Sequence, residues 1–181
     1  DVTVNLALDG EAVAGLDYTA SSLSAVIPAG SLTASVVLTL IQDGLDEFDE
    51  LAVISFVDVV NAVENIVQQS STLIRDVGPL PTLTTMLSQP SVLEDGTPTA
   101  VFTVQLSEAS GKDVTVDLAL SGTATRGVDY TGGVTQLVIP AGDTSAAVTV
   151  TVIDDTLDEF DETVIFTTSN VVNAAPGGSP S

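Results

Sequence analysis

Residues 1–62 align with residues 113–174 at a constant offset of 112, without a gap and with roughly half the positions identical. D-V-T-V-N-L-A-L at 1–8 returns as D-V-T-V-D-L-A-L at 113–120, and G-L-D-Y-T at 15–19 as G-V-D-Y-T at 127–131. V-I-P-A-G occurs at 26–30 and 138–142, L-D-E-F-D-E at 45–50 and 157–162, and V-V-N-A at 59–62 and 171–174. A period of this length is that of a whole domain, not of a solenoid turn. The chain must therefore fold as copies of one module. Gly78-Pro79-Leu80-Pro81 marks the boundary, which places the modules at 1–78 and 79–181.

Within each copy the periodicity is that of strands. Val2–Leu8 alternates apolar and polar residues, as a half-buried strand does. Ser24–Ile27 reads as a short strand stopped by Pro28-Ala29-Gly30, because proline has no N–H for a ladder. Thr33–Ile41, Leu51–Val60 and Ser71–Ile74 read as further strands. Leu83–Leu87, Thr99–Leu106, Val114–Leu120, Gln136–Ile139, Ser145–Ile153 and Thr163–Thr168 read as strands of the second copy. No helical periodicity appears. About seven short strands per module with turn signals between them predict an all-β fold of tandem antiparallel sandwiches. The copies are unequal: nothing in the first matches 83–106, and nothing in the second matches 71–74. The chain also begins in mid-repeat, at Asp1. It is therefore expected to be a piece of a longer array, with strand exchange between neighbouring chains as the sharper alternative.

Twenty-five acidic residues stand against three basic ones, Arg75, Lys112 and Arg126, for a net charge of −22. That balance argues against nucleic acid and anionic lipid as partners and suits cations. Cysteine and histidine are absent, which excludes disulfides, thiolate or imidazole metal sites and Ser-His-Asp catalysis. No apolar run is long enough for a transmembrane helix. No phosphate-cradling loop or sugar-binding aromatic platform is evident, and no enzymatic activity is expected.

The charge is concentrated in two loops, I-Q-D-G-L-D-E-F-D-E at 41–50 and I-D-D-T-L-D-E-F-D-E at 153–162, each between strand-like runs. Crowded carboxylates raise one another's pKa values. A hard cation that takes six to eight oxygen ligands removes that penalty, and a flexible anionic site favours Ca2+ over Mg2+. The plainer reading of the same residues is a solvated acidic surface that aids solubility. Phe48 and Phe160, beside these loops, are expected to be core anchors, and Tyr18 and Tyr130 to be structural.

The motifs together resemble the Calx-beta family, seven-strand immunoglobulin-like modules of sodium–calcium exchangers, integrin β4 and large bacterial surface proteins. The residues that carry the resemblance are S-V-L-E-D-G at 91–96, G-T-A-T-R-G-V-D-Y-T at 122–131, V-I-P-A-G at 138–142 and the acidic run at 153–162. The resemblance implies calcium ligation by Glu94, Asp129, Asp155, Glu159 and Glu162. Asp154, Asp158 and Asp161 are neighbours placed to ligate or to add field. In the first module it implies Asp17, Asp43, Glu47 and Glu50, with Asp46 as the counterpart of Asp158. Where the family carries an acidic run after the last strand, this chain has Arg75-Asp76-Val77, so only Asp76 remains there and one or two ions are expected. The function implied is a calcium-binding structural or adhesive repeat of an extracellular fibre or cell-surface adhesin, with neighbouring modules or further copies as partners. A calcium-sensing module of a membrane protein and an accessory module of a secreted enzyme are the alternatives.

Overall fold

In the computed structural model the described residues are 1–66, 68–96, 98–156 and 159–177. They form strands and turns, and no helix among them is long and apolar enough to cross a membrane. The chain divides into two compact units, Asp1–Gly44 with Phe48–Gly78, and Leu45–Glu47 with Pro79–Ser181.

The first unit contains β1 (Val2–Gly10), β2 (Tyr18–Ala20), β3 (Ser24–Ile27), β4 (Leu38–Leu40), β5 (Glu50–Val60) and β6 (Gln69–Ile74). One antiparallel sheet runs in the order β3-β1-β5-β6, and β2 pairs with β4. The alternation that predicted β1 sets its register: Val4 faces Ala25 on one side and Val59 on the other. The buried cluster is small. Ala12, Tyr18 and Ala52 form it, with Leu8, Leu38 and Ile74 packed against them.

The second unit contains β7 (Thr82–Leu87), β8 (Thr99–Leu106), β9 (Val114–Gly122), β10 (Tyr130–Gly132), β11 (Gln136–Ile139), β12 (Ser145–Val152), β13 (Val164–Val172) and β14 (Ala175–Pro176). A five-stranded sheet runs β10-β12-β8-β7-β14 and a three-stranded sheet runs β11-β9-β13. All pairs are antiparallel except the short β14–β7 contact. The core joins the two sheets. Leu83, Phe102, Val104, Leu106 and Val148 come from the first sheet, and Val114, Val116, Leu118, Leu137 and Ile139 from the second. Phe102 and Phe166 stack across the sandwich with ring centroids 4.6 Å apart. The alternation is therefore the core pattern of a sandwich, each inward residue meeting the facing sheet.

The repeat survives in local geometry. Gly10 and Gly122, 112 residues apart, have φ of 111° and 129°, and a Cβ at either would lie 2.0 Å from the carbonyl oxygen of Leu51 or Thr163. Only glycine tolerates that approach. Asn61 and Asn173 both take positive φ and donate through Nδ2 to the backbone oxygens of Asp1 and Asp113.

Three expectations are corrected. The strand predicted over Thr33–Ile41 is regular only at Leu38–Leu40, whereas its counterpart β12 extends over Ser145–Val152. The reason is pairing: β12 is bonded to β8 along Ser145–Thr151, and no described strand of the first unit takes that place beside β4. Phe48 and Phe160 do not anchor a core; they are 66% and 95% exposed. The gap between the strands predicted at Val2–Leu8 and Ser24–Ile27 holds a further strand, β2, as the matching gap in the second unit holds β10. Tyr18 and Tyr130 are buried, as expected.

Candidate cation site

In the second unit three separate segments meet at one end of the β12 ladder. Pairing of Tyr130 with Val152 brings the 125–129 turn to the start of the acidic loop, where Ile153 N–H donates to Asp129 O at 2.9 Å. The turn is closed by Asp129 itself. Its Oδ2 accepts from Thr125 N–H, and its own N–H donates to Thr125 O at 2.9 Å. From the other side, Val152 N–H donates to Pro98 O at 3.0 Å, and Gly96 N–H donates to Asp154 Oδ2 at 3.0 Å. The Glu94-Asp95-Gly96 turn is thus tied to the acidic loop by its backbone.

The carboxylates gathered there respond to one another. Glu94 is pushed above its ordinary pKa, first by loss of hydration and then by the charges of Asp155, Glu159, Asp129 and Asp154. Glu162 is pushed up as well, by loss of hydration, by a hydrogen bond with Asp129, and by the charges of Asp129, Glu159 and Glu94. The fold therefore assembles Glu94, Asp129, Asp154, Asp155, Glu159 and Glu162 into one electrostatic group. Asp158 lies outside the described residues. Among the described residues no three carboxylates stand close enough, as placed, to grip one ion.

In the first unit Asp17 closes the matching turn. Its Oδ2 accepts from Val13 N–H, and its backbone oxygen accepts from Ile41 N–H at 2.8 Å. Asp76 donates its N–H to Asp49 Oδ1 at 3.1 Å and accepts from Gly78 N–H at 2.9 Å through its own carboxylate. Asp43, Glu50 and Asp76 each make further polar or electrostatic contacts. Asp46 and Glu47 belong to the second unit. Asp46 is 5% exposed and pairs with Lys112 Nζ at 2.9 Å, while its backbone oxygen accepts from Gly111 N–H. A Cβ at Gly111 would lie 2.5 Å from Glu47 Cγ.

The sequence model of the Calx-beta domain matches residues 1–77 and again residues 83–177. The chain belongs to the Calx-beta family. Among solved structures it is similar to the calcium binding domain CBD12 of CALX1.1, at 19% identity and a TM-score of 0.38. It is also similar to CBD12 from CALX1.2, at 17% identity and a TM-score of 0.34. Each alignment covers 85% of this chain and 64% of the other, so this chain spans less than two thirds of either. Among curated proteins nothing matches it.

The donors of this Calx-beta chain suit a hard cation: every candidate is a carboxylate, and neighbouring negative charges add to lost hydration in raising the pKa of Glu94 and Glu162. In the second Calx-beta segment the residues that the family resemblance names as those that would hold the ion are Glu94, Asp129, Asp155, Glu159 and Glu162, and Asp154 holds the first turn. Two residues escaped the sequence reading. Asp49 positions Asp76, and Lys112 neutralises Asp46. Lys112 carried a signal, as one of three basic residues among 25 acids.

Proposed function

We propose that the two Calx-beta segments are calcium-binding structural repeats of an extracellular fibre or cell-surface adhesin, stiffened by the ion. The observation that carries the reading is the convergence of Glu94, Asp129 and Glu162, from three distant stretches, with the pKa of both glutamates raised. Family membership supports it, as does the duplication of the acidic loop. A bound calcium ion supplies positive charge that relieves the mutual repulsion of these carboxylates. The chain's own part is to present them: the 125–129 turn orients Asp129, and the Gly96–Asp154 bond brings Glu94 within range. The role is mechanical and involves no bond chemistry. Extracellular sites work at about 10⁻⁴–10⁻³ M calcium, and a site held at about 100 times its Kd adds about 2.7 kcal/mol of stability.

The test is thermal unfolding by circular dichroism, in chelator and across a calcium series, with magnesium as control. A calcium-specific rise in melting temperature with a midpoint in the millimolar range is expected. A midpoint in the micromolar range would favour a sensor module instead, and no shift would leave the carboxylates as a solvated surface.

A further inference from the structure

We infer that the buried Lys112–Asp46 pair is the precursor of an amide cross-link between Lys112 Nζ and Asp46 Cγ. Both residues belong to the second unit and stand 66 positions apart in sequence. Their side chains are 13% and 6% exposed, and Nζ lies 2.9 Å from Oδ1. Three consecutive residues hold Asp46 in place. Gly111 N–H donates to Asp46 O at 3.0 Å, and the hydroxyl of Ser110, a residue 1% exposed, donates to the same oxygen at 3.3 Å. Ser110 Oγ also accepts from Lys112 N–H at 3.0 Å, so one buried hydroxyl ties the two backbones together. Lys112 completes the set through its side chain. Reacting groups held in this way meet at effective concentrations of about 10⁵–10⁸ M.

As ions the two groups are costly to bury. Their attraction repays the lost hydration only where the remaining lone pairs are also satisfied. Asp46 Oδ2 has no hydrogen-bond partner among the described residues. The ammonium of Lys112 passes one proton to the carboxylate it touches, and the neutral amine then attacks Cγ. A C–N bond forms, a C–O bond breaks, and one oxygen leaves as water with the two protons that Nζ has given up. No oxidant or co-reactant is required. The product is neutral: it removes both buried charges and leaves one carbonyl and one N–H. Exclusion of water from the pair disfavours hydrolysis of the amide. The bond closes a covalent loop that contains β5 to β8, and tension on the two ends of the chain bypasses that loop. This inference does not depend on the calcium reading, and it takes Asp46 out of the carboxylates open to a cation.

The test is the intact mass of the folded full chain after incubation at neutral pH, followed by tryptic mapping. The expected mass is lower than that of the sequence by one water. Trypsin cuts the unmodified chain after its three basic residues, Arg75, Lys112 and Arg126. An amide on Lys112 abolishes the middle cut, and residues 76–126 should appear joined to residues 1–75 as one branched peptide. Lys112→Arg keeps the positive charge but lacks the reactive amine; its full mass, with the circular dichroism of a folded β protein, is the expected control. A folded parent that keeps its full mass and is cut after Lys112 would overturn the proposal. So would a loss of water that persists in Lys112→Arg, or one that maps to an Asp-Gly step such as Asp95-Gly96, where ring closure onto the backbone releases the same water.

Discussion

Gly96 donates its backbone N–H to Asp154 Oδ2 at 3.0 Å across 58 residues of sequence. This bond makes Asp154 a positioning residue for the first turn. Asp154→Ala should weaken calcium binding by about 2- to 10-fold, the range for loss of one hydrogen bond of about 0.5–1.5 kcal/mol. Asp154→Asn keeps an acceptor oxygen and should lose less. Calorimetric titration of both variants checks the order.

Glu162 is held against the charges of Asp129, Glu159 and Glu94. Glu162→Gln removes a repelling charge, so the metal-free protein should melt slightly higher than the parent. The same variant should lose most of the calcium-induced rise. Paired melts in chelator and in calcium decide this; a lower metal-free melting temperature would count against the repulsion argument.

Acidification should move stability in two directions. Glu94 and Glu162 have folded pKa values above their ordinary 4.5, so the folded state binds more protons than the unfolded one. Their contribution is unfavourable at neutral pH and is relieved as pH falls through the raised values towards 4.5. Asp117 is lowered from 3.8 by hydrogen bonds from Asn170 and Gln136, at 2.8 and 3.1 Å. Its stabilisation is present above 3.8 and is lost as pH falls through the depressed value. In chelator the melting temperature should therefore rise on mild acidification and then fall. Calcium affinity should only fall, because protons compete for the same oxygens.

Lys112 and Asp46 form a largely buried pair, and Asp46 Oδ2 has no hydrogen-bond partner of its own among the described residues. Lys112→Met leaves a buried carboxylate uncompensated and should destabilise the second unit by about 3–5 kcal/mol. Adding Asp46→Asn should recover part of the loss. Urea unfolding of the single and double variants provides the comparison.

Gly122 and Gly127 both have positive φ, but a Cβ on Gly122 would meet Thr163 O at 2.0 Å, whereas one on Gly127 would meet nothing within 4 Å. Gly122→Ala should cost at least about 1–3 kcal/mol from the strained backbone, with the clash added to it. Gly127→Ala should cost about 1–2 kcal/mol, from left-handed backbone alone. Thermal melts of the two variants test the ranking.

The sequence by itself determined the repeat, the all-β class and most strand positions, because alternation over Val114–Leu120 or Thr99–Leu106 is a local property of the pleat. It also placed the acidic loops, since their charge is written consecutively. Only the tertiary structure decided how far β4 extends, because its regularity depends on a neighbour that local propensity does not encode. The exposure of Phe48 and Phe160 has the same character: how far an apolar side chain is buried depends on how the strands pack, which the local sequence does not encode. The acidic group was also a tertiary outcome. Glu94 and Glu162 lose hydration and feel the charge of Asp129 because ladder closure at Tyr130–Val152 and the Gly96–Asp154 bond bring three turns together. Asp46, from the same kind of run, was drawn instead to Lys112. Coulomb energy depends on distance in space, and chain closure sets that distance.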